Sequence, residues 1–160
     1  MFINKNLVLA VPTVLAFVSF NTFADAGATQ DIVLSTDVAS VCTIEANSLT
    51  YSPDLTTGED GTTIATITEI CNDADGYTVT FTSANSGKLQ NDDVPGEEKD
   101  YEITYGSIDE KKLNSARTES YNSGTASNAV LLKLDLAADS GVIAAGTWSD
   151  TITATVAVID

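Results

Sequence analysis

Alternation of apolar and polar residues with a period of two is the feature of this sequence that most constrains its fold. It recurs in residues 32–38, 77–82, 101–105, 130–136 and 152–158. Successive side chains of a β-strand point to opposite faces, so each segment predicts a strand with one buried face. The many threonine, valine and isoleucine residues suit a pleated surface.

Turn-forming residues separate these segments at intervals typical of sandwich folds, for example at 52–54, 85–87 and 122–124. We therefore predict an all-β fold, a single antiparallel β-sandwich with Greek-key connections. Helical periodicity is weak throughout, and only residues 107–117 are expected to hold a short turn of helix.

The segment 62–71 does not follow the simple alternation. Ile64, Ile67 and Ile70 cannot all lie on one face of a regular strand. The segment is β-branched and flanked by turn residues, so we still predict a strand. Either a β-bulge or burial on both faces accounts for the mismatch.

The first 24 residues are predicted to be a secretion signal. Lys5 precedes an apolar run over residues 7–20, and small residues follow, so cleavage is expected after Ala24 or after Ala26. The run is shorter than the roughly 20 residues that span a bilayer, which argues against a membrane anchor. Residues 25–160 then form one exported domain.

Cys42 and Cys71 are the two cysteines of the chain. Two thiols in an exported protein predict one disulfide, here between the start of the fold and the end of its next long strand. A redox pair would have C-x-x-C spacing or an adjacent base, and two cysteines are too few for a zinc site.

The charge balance excludes several functions. The chain has 7 Lys and Arg, 23 Asp and Glu, and no histidine. Nucleic acid and anionic lipid both require clustered cations, so neither is an expected partner. Without histidine there is no base for a catalytic triad. Residue counts leave a paired-carboxylate hydrolase open. Most of the acids lie in predicted turns, however, where solvation leaves their pKa values untuned, so we expect no enzyme.

Acidic turns also raise the question of calcium. The best candidate is residues 72–76, but the EF-hand register would put Cys71 at position one and Thr82 at position twelve, and neither is a suitable ligand. A solvated hairpin turn is the better interpretation, and we expect no metal or cofactor.

Several segments together resemble one family. Residues 38–46, VASVCTIEA, are followed by Leu49-Thr50-Tyr51, and a second cysteine ends the next long strand. Residues 76–82 and 101–105 match later strands, and AGTWSDT at 145–151 matches the closing motif. This pattern resembles spore coat protein U-type domains, the secreted subunits of archaic, Csu-like chaperone–usher pili, from about residue 29 to the C-terminus.

The resemblance implies an immunoglobulin-like sandwich that lacks its last strand and is completed by a neighbour. Residues 29–37 would be the donor-strand extension, with Ile32 and Leu34 as inward anchors and Val38 as the boundary residue. The implied partners are identical or related subunits, a periplasmic chaperone and an outer-membrane usher. The implied product is a surface pilus that serves adhesion and biofilm formation.

Alternatives remain at the level of sequence. The segment 30–38 is also interpretable as the first strand of the chain's own sandwich, an alternative that ranks only modestly below the donor strand because an alternating strand has the same pattern in both cases. A self-contained secreted binding module for calcium or glycan, or a coat protein, would share the same strand pattern.

Overall fold

The structure, a computed structural model, describes residues 29–159, without the side chains of Thr125 and Ala126. Residues 29–36 belong to a first, N-terminal unit, and a second, compact unit begins at Asp37. The predicted signal and its cleavage sites lie outside the described residues. Eleven strands follow in order: β1 (Cys42–Ala46), β2 (Glu59–Cys71), β3 (Tyr77–Ser83), β4 (Lys88–Asn91), β5 (Glu98–Asp100), β6 (Glu102–Tyr105), β7 (Ile108–Lys112), β8 (Arg117–Tyr121), β9 (Thr125–Leu136), β10 (Trp148–Ser149) and β11 (Ile152–Val158).

The strands form three antiparallel sheets. The first sheet has the order β1-β2-β9-β6-β7, the second β11-β3-β8, and the small third sheet β10-β4-β5. Inward side chains of the first and second sheets share one hydrophobic core. Across it, the rings of Phe81 on β3 and Tyr105 on β6 lie with their centroids 4.6 Å apart. The predicted all-β sandwich is confirmed.

The predicted disulfide is also confirmed. Cys42, the first residue of β1, lies opposite Cys71, the last residue of β2, and the two are bonded. The bridge therefore fastens an edge strand to its only neighbour in the first sheet.

The irregular segment on β2 contains a β-bulge. The register of β2 against β9 shifts between Thr63 and Ala65, which confirms the bulge interpretation. Beyond the shift, the residues at odd positions face the core and Ile70 faces solvent. One consequence is that Glu69, rather than Ile70, is buried.

Two local predictions are wrong. Residues 107–117 hold β7 and the start of β8 instead of a helical turn. A Glu119 oxygen accepts the Ser107 N–H at 3.1 Å, so a contact from β8, the next strand along the chain but a member of the second sheet, supports the turn between β6 and β7. The strand expected over 32–38 is absent, since residues 29–41 have no regular secondary structure. When an alternating segment has no strand to pair with, its backbone N–H and C=O groups form hydrogen bonds with water instead.

A candidate binding groove between two sheet edges

The two main sheets each leave one edge unpaired on the same side of the sandwich. Within residues 37–159, β1 pairs only with β2, and β11 pairs only with β3. The two edge strands nevertheless contact each other across the core. Unpaired N–H and C=O groups along such edges are open to pairing with another strand.

The core is incompletely covered along these edges. The inward side chains of both edge strands are only half-buried: Ile44 and Ala46 on β1, and Ile152, Ala154 and Val156 on β11. By contrast, Val79 and Phe81 on the adjacent β3 are 0% exposed. Solvent therefore reaches apolar side chains along the seam between the sheets.

A groove of about 420 Å³ opens along this seam. Its floor is formed by core residues of both main sheets and of β4: Ala65, Ile67, Phe81, Leu89, Leu132 and Leu134. The loop after β1 forms one wall, where Leu49 lines the groove although it is 90% exposed. An apolar, concave surface bordered by unpaired backbone is suited to an extended peptide.

One end of the groove is polar. The Asp150 carboxyl group accepts hydrogen bonds from the hydroxyls of Ser83 and Tyr101, both at 2.6 Å, and from the Asn85 N–H at 3.0 Å. These bonds fix the residue just before β11. Burial, followed by the bond to Asp150, raises the pKa of Tyr101. The start of the edge strand is thus held rigidly.

A buried polar cluster lies at the other end of the core. Glu69 is 0% exposed and accepts hydrogen bonds from Tyr77 at 2.7 Å, from Asn128 at 3.0 Å, and from Tyr105. The Tyr121 hydroxyl approaches to 3.5 Å, and its ring stacks on that of Tyr77. The cluster draws side chains from both main sheets and joins them at this end.

The opposite edges of the sandwich are charged. β7 carries Asp109, Glu110, Lys111 and Lys112, and β8 carries Arg117 and Glu119. Charged edge strands resist pairing with other chains. β11, with the sequence ITATVAV, has no charged residue. The groove side is therefore the side suited to strand addition.

The N-terminal segment presents exposed apolar side chains. Ile32 and Leu34 are 87% and 91% exposed, and Val38 is 80% exposed. Val33, which would lie on the opposite face of a strand from these three residues, is also exposed. The three predicted anchors therefore lie on an exposed segment without regular secondary structure, and their role as donor-strand anchors stays a prediction.

The turn at residues 72–76 anchors the chain just before β1. The Asn72 side chain accepts the Val41 N–H at 2.6 Å and donates to the Ala39 carbonyl at 2.9 Å. The Asn72 N–H also donates to the Val41 carbonyl, and Ser40 donates to Asp73. Residues 39–41 thus continue the line of β1 past the end of β2. These acidic and amide groups serve as hydrogen-bond partners of the chain itself.

Sequence reasoning identified the segment 152–158 as a strand, and the family resemblance implied a missing neighbouring strand, but neither showed which residues line the groove. Strand alternation identified the inward residues, whereas their half-burial depends on which neighbours are present. Glu69 had no sequence signal, because its burial follows from the bulge on β2.

The described part of the chain offers no cluster of three or more His, Cys, Asp or Glu side chains arranged to bind a metal. Nor does any helix of membrane-spanning length and hydropathy occur between residues 29 and 159.

No protein-family model matches the sequence, and no curated protein matches it. Among solved structures, the chain is similar to the one titled "Crystal structure of the E. coli Hda pilus minor tip subunit, HdaB". The sequence identity is 16%, the TM-score is 0.38, and the match covers 72% of this chain and 80% of that one.

Proposed function

We propose that this protein is a structural subunit of a surface pilus whose copies are joined by strand exchange. Residues 29–37 of one copy would enter the groove of the next as an added strand, with Ile32 and Leu34 facing the core and Val38 at the boundary. The observation that carries this proposal is the apolar groove between the unpaired edges of β1 and β11. Such an edge is a template for β-augmentation.

The lengths of the two segments agree. β11 has 7 residues, of which alternate ones from Ile152 to Val158 face inward. Residues 32–38 alternate over the same number of positions. At about 3.4 Å per residue, each spans roughly 24 Å when extended. The N-terminal arm, residues 29–38, would therefore cover β11 from end to end.

The anchoring of residues 39–41 favours insertion into another copy over insertion into the chain's own groove. To fold back beside β1, the chain would have to reverse direction at these residues. The bonds that Asn72 makes to Ala39 and Val41 would then break. Insertion into a second copy leaves all of them intact.

The energetic gain is that of burying exposed apolar surface. Each large aliphatic side chain moved from water into the groove contributes about 1.5–3 kcal/mol. Ile32 and Leu34 begin almost fully exposed, and the half-buried groove residues would lose their remaining contact with water. Backbone pairing would add a ladder of hydrogen bonds, so each joint would be long-lived.

The further partners belong to this proposal. An exposed apolar groove would aggregate during export, so a periplasmic chaperone would fill it first, and an outer-membrane usher would be the place of exchange. The chain would pass through the periplasm to the cell surface, where the pilus would serve adhesion and biofilm formation.

The proposal is tested by comparing the assembly of three full-length chains after signal removal. Sedimentation velocity and electron microscopy would follow the unsubstituted chain, an Ile32→Ser/Leu34→Ser variant, and a Val33→Ser control. Val33 is as exposed as its neighbours but has the opposite parity. We expect the unsubstituted chain and the control to form oligomers, and the double variant to stay monomeric.

Adding a synthetic peptide of residues 29–38 to the double variant separates loss of the arm from loss of the fold. The peptide should bind and raise the unfolding temperature of the variant. If all three chains were monomeric and the peptide left that temperature unchanged, the protein would instead be a self-contained module.

A further inference from the structure

We infer that ionic strength controls how fast the arm joins the groove, because both surfaces carry only acidic charge. This inference rests on the proposed function and concerns the regulation of the same site. The arm, residues 29–38, contains Asp31 and Asp37 and no cation. The chain as a whole has a formal net charge of −16 at pH 7.

The groove side of the domain also carries negative charge. Every Lys and Arg from residue 29 onward lies between Lys88 and Lys133, so β1, β2, β3, β10 and β11 contain none. The charged side chains on these strands and their adjoining loops are all acidic: Glu45, Asp54, Glu59, Asp60, Glu69, Asp73, Asp75, Asp139 and Asp150. Approach of an arm therefore brings negative charge toward negative charge.

The cations that do occur are placed elsewhere, and several are already neutralised. Lys88 pairs with Glu98, Lys99 with Asp139 at 3.4 Å, and Lys112 with Asp100 at 2.9 Å. Lys133 follows Leu132 and precedes Leu134, both buried, so it faces away from the core. None of these groups is placed to attract an incoming arm.

The alternation of side chains along a strand keeps the acidic groups of the arm in water. With Ile32 and Leu34 facing the groove, Asp31 and Asp37 have odd positions and face solvent. Their repulsion then acts through water and is screened over about 10 Å at 0.1 M salt and about 3 Å at 1 M. Charge of this kind changes the rate of encounter more than the stability of the finished joint.

The test measures association of three end-blocked fluorescent peptides of residues 29–38 with the full chain. The chain carries Ile32→Ser and Leu34→Ser, so that its own arm does not compete. The peptides are unsubstituted, Asp31→Asn/Asp37→Asn, and Asp31→Lys/Asp37→Lys. Stopped-flow anisotropy would record association rates from about 20 mM to about 1 M NaCl.

We expect the direction in which salt changes the association rate to depend on the sign of the peptide's net charge. The association rate of the unsubstituted peptide should rise about three- to tenfold across this range, and that of the lysine peptide should fall. The asparagine peptide corrects for general salting-out, which acts on all three. At the highest salt the three rates should converge.

Two matched variants of the chain locate the effect. Glu45→Gln removes an exposed acid from β1 beside the groove, and Glu110→Gln removes one from β7 at the far edge of the same sheet. Both change the net charge equally. Only Glu45→Gln should weaken the salt dependence of the unsubstituted peptide.

The outcomes separate this inference from the proposed function. Equal rates for the three peptides at low salt would overturn the inference while leaving strand addition intact. A larger acceleration by CaCl₂ than by NaCl at equal ionic strength would also overturn it, in favour of specific ion bridging. If no peptide bound at any salt, the groove would not accept the arm and the proposed function would fail.

Discussion

Glu69 shows how much a single buried residue contributes to holding the sandwich together. Its carboxyl group has four hydrogen-bond donors around it, and all of them are neutral. These donors come from β3, β6, β8 and β9, so one side chain links the two main sheets. Its burial is tolerated because nearly every lone pair has a partner.

We expect Glu69→Leu to lower the free energy of unfolding by about 3 kcal/mol, since several buried donors would lose their acceptor. Tyr105→Phe removes only one donor and should cost about 1 kcal/mol. Urea unfolding followed by circular dichroism measures both changes. A leucine variant as stable as the unsubstituted chain would show that the cluster is dispensable.

The tyrosines of the core make the protein sensitive to alkali. Burial, followed by the charges of Glu69 and Glu119, raises the pKa of Tyr121 to about 12. Burial is also the main cause that raises the pKa of Tyr77, Tyr101 and Tyr105. An unfolded tyrosine ionises near pH 10, so the folded state disfavours the phenolate.

The sign of the pH dependence follows from this difference. The stability that the neutral tyrosines contribute is complete below about pH 10 and is lost as the pH rises through about 12. Urea unfolding across this range, together with tyrosinate absorbance of the native protein, provides the check. Native tyrosines that all ionised near pH 10 would contradict the expectation.

At the scale of elements, β11 is a strand with two different faces. Ala154 faces the groove and is half-buried, whereas Ala157 faces solvent. The small side chain of Ala154 leaves room in the groove that a larger residue would occupy.

We predict that Ala154→Leu blocks the arm without unfolding the domain, because the added methyl groups enter open space rather than a closed core. Binding of the 29–38 peptide should weaken at least tenfold. Ala157→Leu, on the other face of the same strand, is the matched control and should bind as the unsubstituted chain does. Equal binding by the two variants would mean that the peptide does not lie against Ala154.

The disulfide acts on the other edge strand. Cys42 and Cys71 are 29 residues apart in sequence, and the chain-entropy model gives about 3–4 kcal/mol for closing such a loop. We therefore expect the Cys42→Ala/Cys71→Ala variant to unfold at a markedly lower urea concentration than the unsubstituted chain. Limited proteolysis should cut it first near β1, which would keep only its backbone ladder and the half-buried side chains of Ile44 and Ala46. Unchanged protection there would assign the edge strand's stability to packing instead.

At the scale of the whole molecule, the seam between β1 and β11 leaves apolar side chains in contact with water. A second copy of residues 29–38, joined after residue 160 by a flexible linker, would supply the strand within one chain. We expect this grafted chain to be monomeric and to melt at least about 10 °C higher than the unsubstituted chain, since filling a site stabilises the folded state. A graft with Ile32→Ser and Leu34→Ser should give no such gain. Equal melting temperatures for the two grafts would argue against occupation of the groove.

Much of the fold was accessible from the sequence because strand alternation is a local signal. The strands at 77–82, 101–105, 130–136 and 152–158 formed as predicted, with their alternate residues inward. The cysteine pair was likewise predictable, since two thiols in a chain that is predicted to be exported allow one pairing. The helical turn predicted at 107–117 was wrong because Glu119, on the next strand but in the other main sheet, bonds to Ser107 and supports a hairpin there.

The sequence by itself determined which faces of the strands are apolar, where the disulfide forms, and that the chain is acidic, because each depends on residues read locally or counted. The tertiary structure decided that β1 and β11 lie side by side with unpaired edges, that Glu69 is buried, and that residues 29–41 form no strand. These depend on which strands become neighbours, and an alternating segment has the same pattern whether or not a partner is present to pair with it.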